Sequence, residues 1–190
     1  LESRIFNDLF GYMIVAPTFR LSLPPRFPVI LLEGGERPGK KILISGGGRC
    51  NVLPSHADPG DFITDGSPHT LAKLLRTWQL ADVRRFFEED LGIPLREEEV
   101  SGKLFPVSNQ AKDVLDALLA AANRHGVIVR LGARVSGLER QGDGWLVRLT
   151  SGERIAASRV VLATGGLSVP ATGSDGAGLR IAEKLGHTVV

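Results

Sequence analysis

Apolar residues recur with a helical period in the middle of the chain and predict three helices there. The first follows Ser67 and Pro68, which are typical of an N-cap and a first helical position. The second ends at Gly92. The third follows Ser108, a predicted N-cap, and ends at Gly126. The apolar positions of the three helices are Leu71, Leu74, Leu75 and Trp78; Val83, Phe86, Phe87 and Leu91; and Ala111, Val114, Leu115, Leu118, Leu119 and Ala122.

Short apolar runs on either side of these helices predict β-strands. Residues 29–32 and 160–163 are four-residue runs of the kind that form buried parallel strands. Further strands are predicted at 127–131, 134–140, 145–150 and 154–157. The last two flank Ser151-Gly152, which is a hairpin signal.

Three further segments complete the pattern. The charged run 96–99 is predicted to be a turn or a short edge strand, and 51–68 to be mostly loop. Residues 176–185, closed by Gly186, are predicted to form a helix of small residues. The order of strand, helices, strand, antiparallel meander and strand predicts an α/β fold.

Composition excludes several classes of protein. A chain of 190 residues can bury about 70% of its unfolded surface, and 43% hydrophobic with 23% charged residues is ordinary for a globular domain. The net charge of +2 comes from interspersed acids and bases, so we expect neither a nucleic-acid nor a membrane partner. The start lacks a secretory signal and the single cysteine suits a reducing compartment, so a cytoplasmic location is expected.

The two ends of the chain differ from its middle. Residues 1–28 carry four prolines, which exclude a long helix there. The chain begins at Leu1 rather than methionine and stops at Val190 in an apparent strand, so we expect both ends to be truncated. The expected organisation is a divergent segment over 1–28 and one partial domain over 29–190.

The run Lys41-Ile-Leu-Ile-Ser-Gly-Gly-Gly-Arg-Cys-Asn51 concentrates the candidate chemistry. Three adjacent glycines let the backbone adopt positive φ and approach a ligand closely, at an entropic cost that loops seldom repeat. Exposed N–H groups beside Arg49 suit an anionic or flat polar ligand. We therefore interpret the run as a ligand cradle, with a plain flexible loop as the alternative. Cys50 is interpreted either as buried filler or as a redox partner or substrate contact.

Two strand ends add further candidates. Glu33 follows the strand predicted at 29–32, where nucleotide-binding folds hold a ribose; the alternative is a solvent-facing acid. The run Ala163-Thr-Gly-Gly166 follows the strand predicted at 160–163, where open sheets bind ligands. The histidines are scattered at positions 56, 69, 125 and 187, so no metal site is expected. The sequence identifies no catalytic residue.

Three segments, in this order along the chain, resemble a known protein family, and the resemblance covers about residues 29–190. They are Val29-Ile-Leu-Leu-Glu33 with the residues that follow to Lys41; Ser101-Gly-Lys-Leu-Phe-Pro-Val-Ser-Asn-Gln-Ala-Lys-Asp113; and Val160-Val-Leu-Ala-Thr-Gly-Gly-Leu-Ser-Val-Pro-Ala-Thr-Gly-Ser-Asp175. With the glycine run, they resemble the aminoacetone-oxidase-like family of NAD(P)/FAD-dependent oxidoreductases, bacterial flavoproteins of which some are similar to bile-acid dehydro-reductases. The resemblance implies an incomplete Rossmann-like FAD-binding domain, with a central parallel sheet, helices on one face and a three-stranded antiparallel meander on the other.

The resemblance also implies which residues hold FAD. Glu33 would bind the ribose, Val135 would lie against adenine, and Asn51 would meet the polar edge of the flavin. Lys41 or Arg49 would counter negative charge on phosphate or on reduced flavin. The implied site further includes Ser45, Gly46, Gly47, Gly48, Cys50, Ala163, Thr164, Gly165 and Gly166. At position 135 an ordinary core valine is the alternative.

The implied function is FAD-dependent hydride or electron transfer on a small-molecule substrate, with NAD(P)H or oxygen as the other partner. The G-x-G-x-x-G turn that holds the FAD pyrophosphate in such folds is missing before Val29. Two alternatives therefore stay open: a truncated relic without catalysis, and a nucleotide-binding module that does not retain FAD. No protein partner is implied.

Overall fold

A computed structural model of the protein describes residues 28–61, 67–77, 79–167 and 169–189. These residues fall into two compact units. Residues 42–118 form what we call the glycine-loop unit, and the described residues of 1–41 and 119–189 form the parallel-sheet unit. The divergent segment predicted over 1–28 lies outside the described residues except for Pro28, and Trp78 lies outside them as well.

In chain order the regular elements are β1 (Val29–Leu32), α1 (Lys40–Ile44), β2 (Leu53–Pro54), α2 (Pro68–Thr77), α3 (Leu80–Arg85), β3 (Leu95–Glu98), β4 (Lys103–Pro106), α4 (Ala111–Arg124), β5 (Val127–Arg130), β6 (Val135–Gln141), β7 (Gly144–Leu149), β8 (Arg154–Ala157) and α5 (Ala177–Lys184). Short 3-10 turns cover Ser45–Gly48, Pro59–Asp61 and Pro170–Thr172. Within the described ranges, no helix combines the length and the apolar content that crossing a bilayer requires.

The parallel-sheet unit is built on β1 and β5, which pair in parallel with Val29 opposite Val127. Val29 and Leu31 pack against Ala122 of α4, whereas Leu32 packs against a buried cluster in the antiparallel strands β6–β8. Because successive side chains of a strand point to opposite faces, a helix covers one face of the sheet and the meander covers the other. This arrangement confirms the expected α/β fold.

The meander follows the predicted pattern closely. Strands β6, β7 and β8 pair antiparallel in sequence order, with a register shift between Val135 and Gly137. Gly152, in the turn between β7 and β8, has a φ of 89°, which confirms the hairpin signal. The buried residues at the centre of this layer are Ala133, Val147 and Leu149, and we call them the meander cluster.

Residues 160–163 differ from the prediction, since they belong to no helix or strand. All four are half-buried, and Val160 packs against the meander cluster. A strand requires a hydrogen-bonded neighbour, but among the described residues β1 and β5 pair only with each other. The apolar run indicated burial, yet its assignment as a strand was wrong.

In the glycine-loop unit the two predicted helices are confirmed. The Ser67 hydroxyl accepts a hydrogen bond from the N–H of Thr70 at 3.4 Å, as an N-cap does. Helix α3 continues as a π-helical turn in which Phe86 and Phe87 are both buried, with their ring centroids 5.7 Å apart and nearly perpendicular. Gly92 ends the turn with a φ of 67°.

The same unit contains an antiparallel sheet in the order β2–β4–β3. Strand β3 confirms the edge strand that was one of the two predictions for 96–99. Sequence reasoning missed β2 and β4. Both strands contain a proline, which argues against a strand, and the two residues of β2 are too few to show alternation.

Helix α4 begins at Ala111, three residues after the predicted N-cap Ser108. The Ser108 hydroxyl accepts the N–H of Gln110 at 3.3 Å, and Asn109 between them has a φ of 54°. Because that left-handed residue interrupts the chain before the helix, Ser108 stabilises a turn and its assignment as N-cap was wrong. The apolar stripe of α4 is buried as predicted except for Leu119, which is half-buried, and Gly126 follows the helix with a φ of 68°.

Phe87 is fully buried, so its truncation tests the core of the glycine-loop unit. We expect Phe87→Ala to lower the free energy of unfolding by about 3–5 kcal/mol, because it removes apolar contacts and leaves a cavity. Val100→Ala is the control, since Val100 is 100% exposed and should change stability by less than about 0.5 kcal/mol. Urea unfolding of both variants measures the difference, and equal effects would contradict the described core.

Candidate functional site

The glycine run forms a tight left-handed turn directly after α1. Gly46, Gly47 and Gly48 have φ values of 56°, 70° and 85°. The carbonyl of Ser45 accepts the N–H of Cys50 at 3.0 Å, and its hydroxyl donates to the carbonyl of Ile42 at 2.9 Å. Since each left-handed residue with a side chain costs about 1–2 kcal/mol, three consecutive glycines are a backbone requirement here.

Gly46 also lies where no side chain fits. A Cβ atom at this position would be 2.7 Å from Cε1 of Phe105 and 2.9 Å from the backbone nitrogen of Asn51. At Gly47, by contrast, a Cβ atom would meet nothing within 4 Å. The turn therefore rests on the ring of Phe105 in β4 through its first glycine.

Arg49 binds the turn to the sheet of the same unit. Its Nη1 atom lies 2.7 Å from Oε1 of Glu98, and its Nε donates to the carbonyl of Gly46 at 3.2 Å. Its Cζ atom lies 4.2 Å from the centroid of the Phe105 ring, in a cation–π contact. Through these contacts Arg49 stabilises the turn. Its expected role, to pair with negative charge on a ligand, stays a prediction.

Cys50 and Asn51 close the turn. Cys50 is fully buried, and burial raises the pKa of its thiol to about 11, so the buried-filler interpretation is confirmed and the thiol is largely protonated at neutral pH. The Oδ1 atom of Asn51 is buried and has no hydrogen-bond partner among the described residues. An unsatisfied buried acceptor costs about 1–3 kcal/mol, so this atom is suited to a donor from a ligand.

The remaining predicted site residues lie in the parallel-sheet unit. Glu33 follows the last residue of β1, and its Oε1 atom accepts the N–H of Gly35 at 2.7 Å, which orients the carboxylate at the strand end. Val135 begins β6 and packs against the meander cluster, so the core-valine interpretation is confirmed, while its contact with adenine stays a prediction.

Residues 163–166 belong to no helix or strand, and Gly165, which is buried, has a φ of 67°. A Cβ atom at Gly165 would lie 2.8 Å from the hydroxyl of Ser174. The Nζ atom of Lys41 donates to that hydroxyl at 3.1 Å. The structure thus brings Lys41 to the segment 163–166 through Ser174.

The start of α5 is fixed by Asp175, which sequence reasoning missed. Its Oδ1 atom accepts the N–H of Ala177 at 3.0 Å, and its carboxylate pairs with Arg134 and lies 3.9 Å from Arg180. Phe105, Glu98, Ser174 and Gly178 were also missed as parts of the site. Phe105, Ser174 and Asp175 lie inside the segments that carry the family resemblance, which was the available signal.

No three histidine, cysteine or carboxylate side chains of the described residues come together as a metal site would require.

Comparison with known proteins reveals relatives. The family described as HI0933-like protein Rossmann domain matches residues 24–190. The chain is 34% identical over 161 residues to the 3-dehydro-bile acid delta(4,6)-reductase of Clostridium scindens, covering 85% of this chain and 38% of that protein. It is 32% identical over 162 residues to the ribosomal RNA dihydrouridine synthase of Escherichia coli, covering 85% of this chain and 39% of that protein.

Among solved structures, the Diels-Alderase PyrE3 of pyrroindomycin biosynthesis aligns with a TM-score of 0.44 and 17% identity, over 77% of this chain and 28% of that one. The chain spans about two fifths of the length of the two curated relatives described above.

Gly46 and Gly47 offer a matched test of the turn. We expect Gly46→Ala to destabilise the protein more than Gly47→Ala. Both substitutions place a side chain on a residue with positive φ, which costs about 1–2 kcal/mol. Only the side chain at position 46 also collides with Phe105 and Asn51. Urea unfolding of the two variants measures the difference. Equal losses would show that the close approach to Phe105 does not matter.

Glu98 gives the turn a dependence on pH. Hydrogen bonds, first from Arg49 and then from Ser101, lower the pKa of its carboxyl below the ordinary value of 4.5. A group whose pKa is lower in the folded state stabilises that state above its unfolded pKa and loses this contribution as the pH falls through the folded value. We therefore expect Glu98→Gln to be less stable than the wild type at neutral pH.

The stability difference between wild type and Glu98→Gln should shrink as the pH falls below about 5 and vanish below the lowered pKa. Urea unfolding at a series of pH values measures it, with Glu99→Gln, at the exposed neighbouring position, as the control. A difference that is constant with pH would assign the effect to packing rather than to charge.

Proposed function

The chain belongs to the HI0933-like protein Rossmann domain family, and we propose that it is the FAD-binding part of an oxidoreductase that reduces a carbon–carbon double bond conjugated to a carbonyl group. The observation that carries the assignment of FAD is the buried Oδ1 atom of Asn51, which has no hydrogen-bond partner among the described residues. An acceptor held in this way beside three glycines suits a planar ligand that presents an N–H donor, as the flavin ring does.

Other residues of the chain fit the remaining parts of FAD. Glu33 follows a parallel strand of a Rossmann domain, and the bond from Gly35 holds its carboxylate where it would accept ribose hydroxyls. At Gly47 a Cβ atom would meet nothing within 4 Å, so the backbone of the turn would admit the close approach of a flat ring there. When bound, FAD supplies hydride transfer.

The type of reaction is inferred from the names of the two relatives. A delta(4,6)-reductase of a 3-dehydro-bile acid, by its name, acts on the double bonds of a molecule that carries a ketone. A dihydrouridine synthase, by its name, forms a uridine whose ring double bond next to a carbonyl is saturated. We propose for this chain a reduction in which the alkene carbon farther from the carbonyl gains a hydride and the nearer one a proton.

We propose a small molecule as the substrate. A nucleic-acid site requires arginines and lysines that meet phosphates, but many arginines of the described residues are paired with carboxylates. The pairs are Arg49–Glu98, Arg84–Glu88, Arg85–Asp82, Arg130–Glu153, Arg134–Asp175 and Arg148–Glu139. A cyclic enone therefore suits this chain better than RNA. NAD(P)H as the reductant, a cytoplasmic location and a specific likeness to aminoacetone oxidases belong to the same proposal.

Titration of the purified chain with FAD, followed by flavin absorbance and fluorescence, tests the proposal. We expect saturable binding and, in the full-length enzyme, bleaching of the flavin by NADPH or NADH and its reoxidation by a cyclic enone. A folded chain that ignores FAD would support the relic, and binding of ADP without FAD would support the nucleotide-binding module. Reoxidation by uridine-containing RNA alone would overturn the choice of substrate.

Asn51→Leu separates ligand binding from stability. Leucine has a similar shape and removes the unsatisfied acceptor, so we expect the free energy of unfolding to be unchanged or raised. The affinity for FAD should fall about tenfold, which is the loss expected for one hydrogen bond of about 1.4 kcal/mol. A parallel loss of stability would assign Asn51 a structural role instead.

A further inference from the structure

Two close contacts join residues 164–165 to the segment before and at the start of α5. A Cβ atom at Gly178 would overlap the hydroxyl of Thr164, so the Thr164 side chain occupies the space that Gly178 leaves. Ser174 in turn lies against Gly165, because a Cβ atom at Gly165 would be 2.8 Å from the hydroxyl of Ser174. Each segment therefore places a hydroxyl side chain against a glycine of the other, and we call this pair of contacts the interlock.

The chemistry of Ser174 shows how the interlock is held. Among the described residues it is the one buried residue with a hydroxyl, amide or charged group, at 3% exposure. A buried hydroxyl is costly unless it is hydrogen-bonded. Lys41 provides that bond, with Nζ 3.1 Å from the Ser174 hydroxyl across 133 positions of sequence. Because the donor is an ammonium group, the bond is of the stronger, charge-assisted kind.

From these contacts we infer that Lys41 is a positioning residue, which acts through Ser174 to hold Thr164 and the left-handed Gly165 in the conformation that receives the cofactor. The sequence had suggested a direct role against phosphate or reduced flavin. The ammonium donates to Ser174, which is followed by Asp175, itself anchored by Arg134 and by the N–H of Ala177. The loss of Lys41 thus removes a hydrogen bond to the Ser174 hydroxyl, which lies against Gly165.

The effect on binding rests on the proposed FAD function, but the interlock itself is tested without any ligand. Hydrogen–deuterium exchange of the apo chain reports the opening of residues 163–167. We expect Lys41→Met and Ser174→Ala each to speed exchange there about tenfold, the change that corresponds to one charge-assisted hydrogen bond. The double variant should exchange no faster than either single variant, because both substitutions remove the same bond.

Matched controls exclude a general loosening of the fold. Lys40→Met makes the same change at the exposed preceding position and should exchange as the wild type does. Lys41→Arg keeps a charged donor and should restore most of the protection. Unchanged exchange in Lys41→Met, or an additive effect in the double variant, would overturn the inference.

FAD titration of the same variants gives the second readout. We expect Lys41→Met and Ser174→Ala to weaken binding equally, with little dependence on salt. A larger, salt-dependent loss in Lys41→Met would show direct pairing with phosphate and overturn the positioning role. If the wild type binds no FAD, the proposed function fails, whereas the exchange experiment still decides whether Lys41 holds the interlock.

Discussion

Phe105 lies where a side chain of residue 46 would have to be, and Thr164 lies where a side chain of residue 178 would have to be. In the glycine-loop unit, Phe105 packs against the backbone of Gly46 in the turn. In the parallel-sheet unit, Thr164 packs against the backbone of Gly178 in α5. The conformation of each loop therefore depends on the absence of one Cβ atom. Contacts of this kind tolerate no added atom, because packed protein adjusts poorly to extra volume. The conformation of each loop depends on its own contact before any ligand contributes.

Charged side chains stabilise both of these loops. Arg49 contacts Glu98, Phe105 and the carbonyl of Gly46, and Lys41 contacts Ser174. Both cations had been expected from the sequence to face negative charge on a cofactor. A cation held in place by its own protein keeps a loop oriented, and a preorganised loop loses less entropy when it binds a ligand.

The Oδ1 atom of Asn51 differs from the neighbouring residues of the turn, whose polar groups are hydrogen-bonded. Ser45, Arg49 and Cys50 all have hydrogen-bond partners within the turn or its sheet, while Oδ1 of Asn51 is buried with none among the described residues. A buried acceptor without a partner calls for a specific explanation, such as a bound water or a ligand. Under the proposed function, the flavin ring supplies the hydrogen-bond donor for this atom.

The local sequence pattern determined much of the secondary structure of this protein. The helices of the glycine-loop unit, the meander and the glycine turn follow from periodicity, capping residues and positive-φ positions, all of which act over a few neighbouring residues. Tertiary structure alone decided that 160–163 forms no strand, that Pro54 and Pro106 join a sheet, and that Lys41 meets Ser174. Each of these features depends on a contact with a residue or strand that is distant in the sequence. Composition carries no information about which distant segments meet in the folded chain.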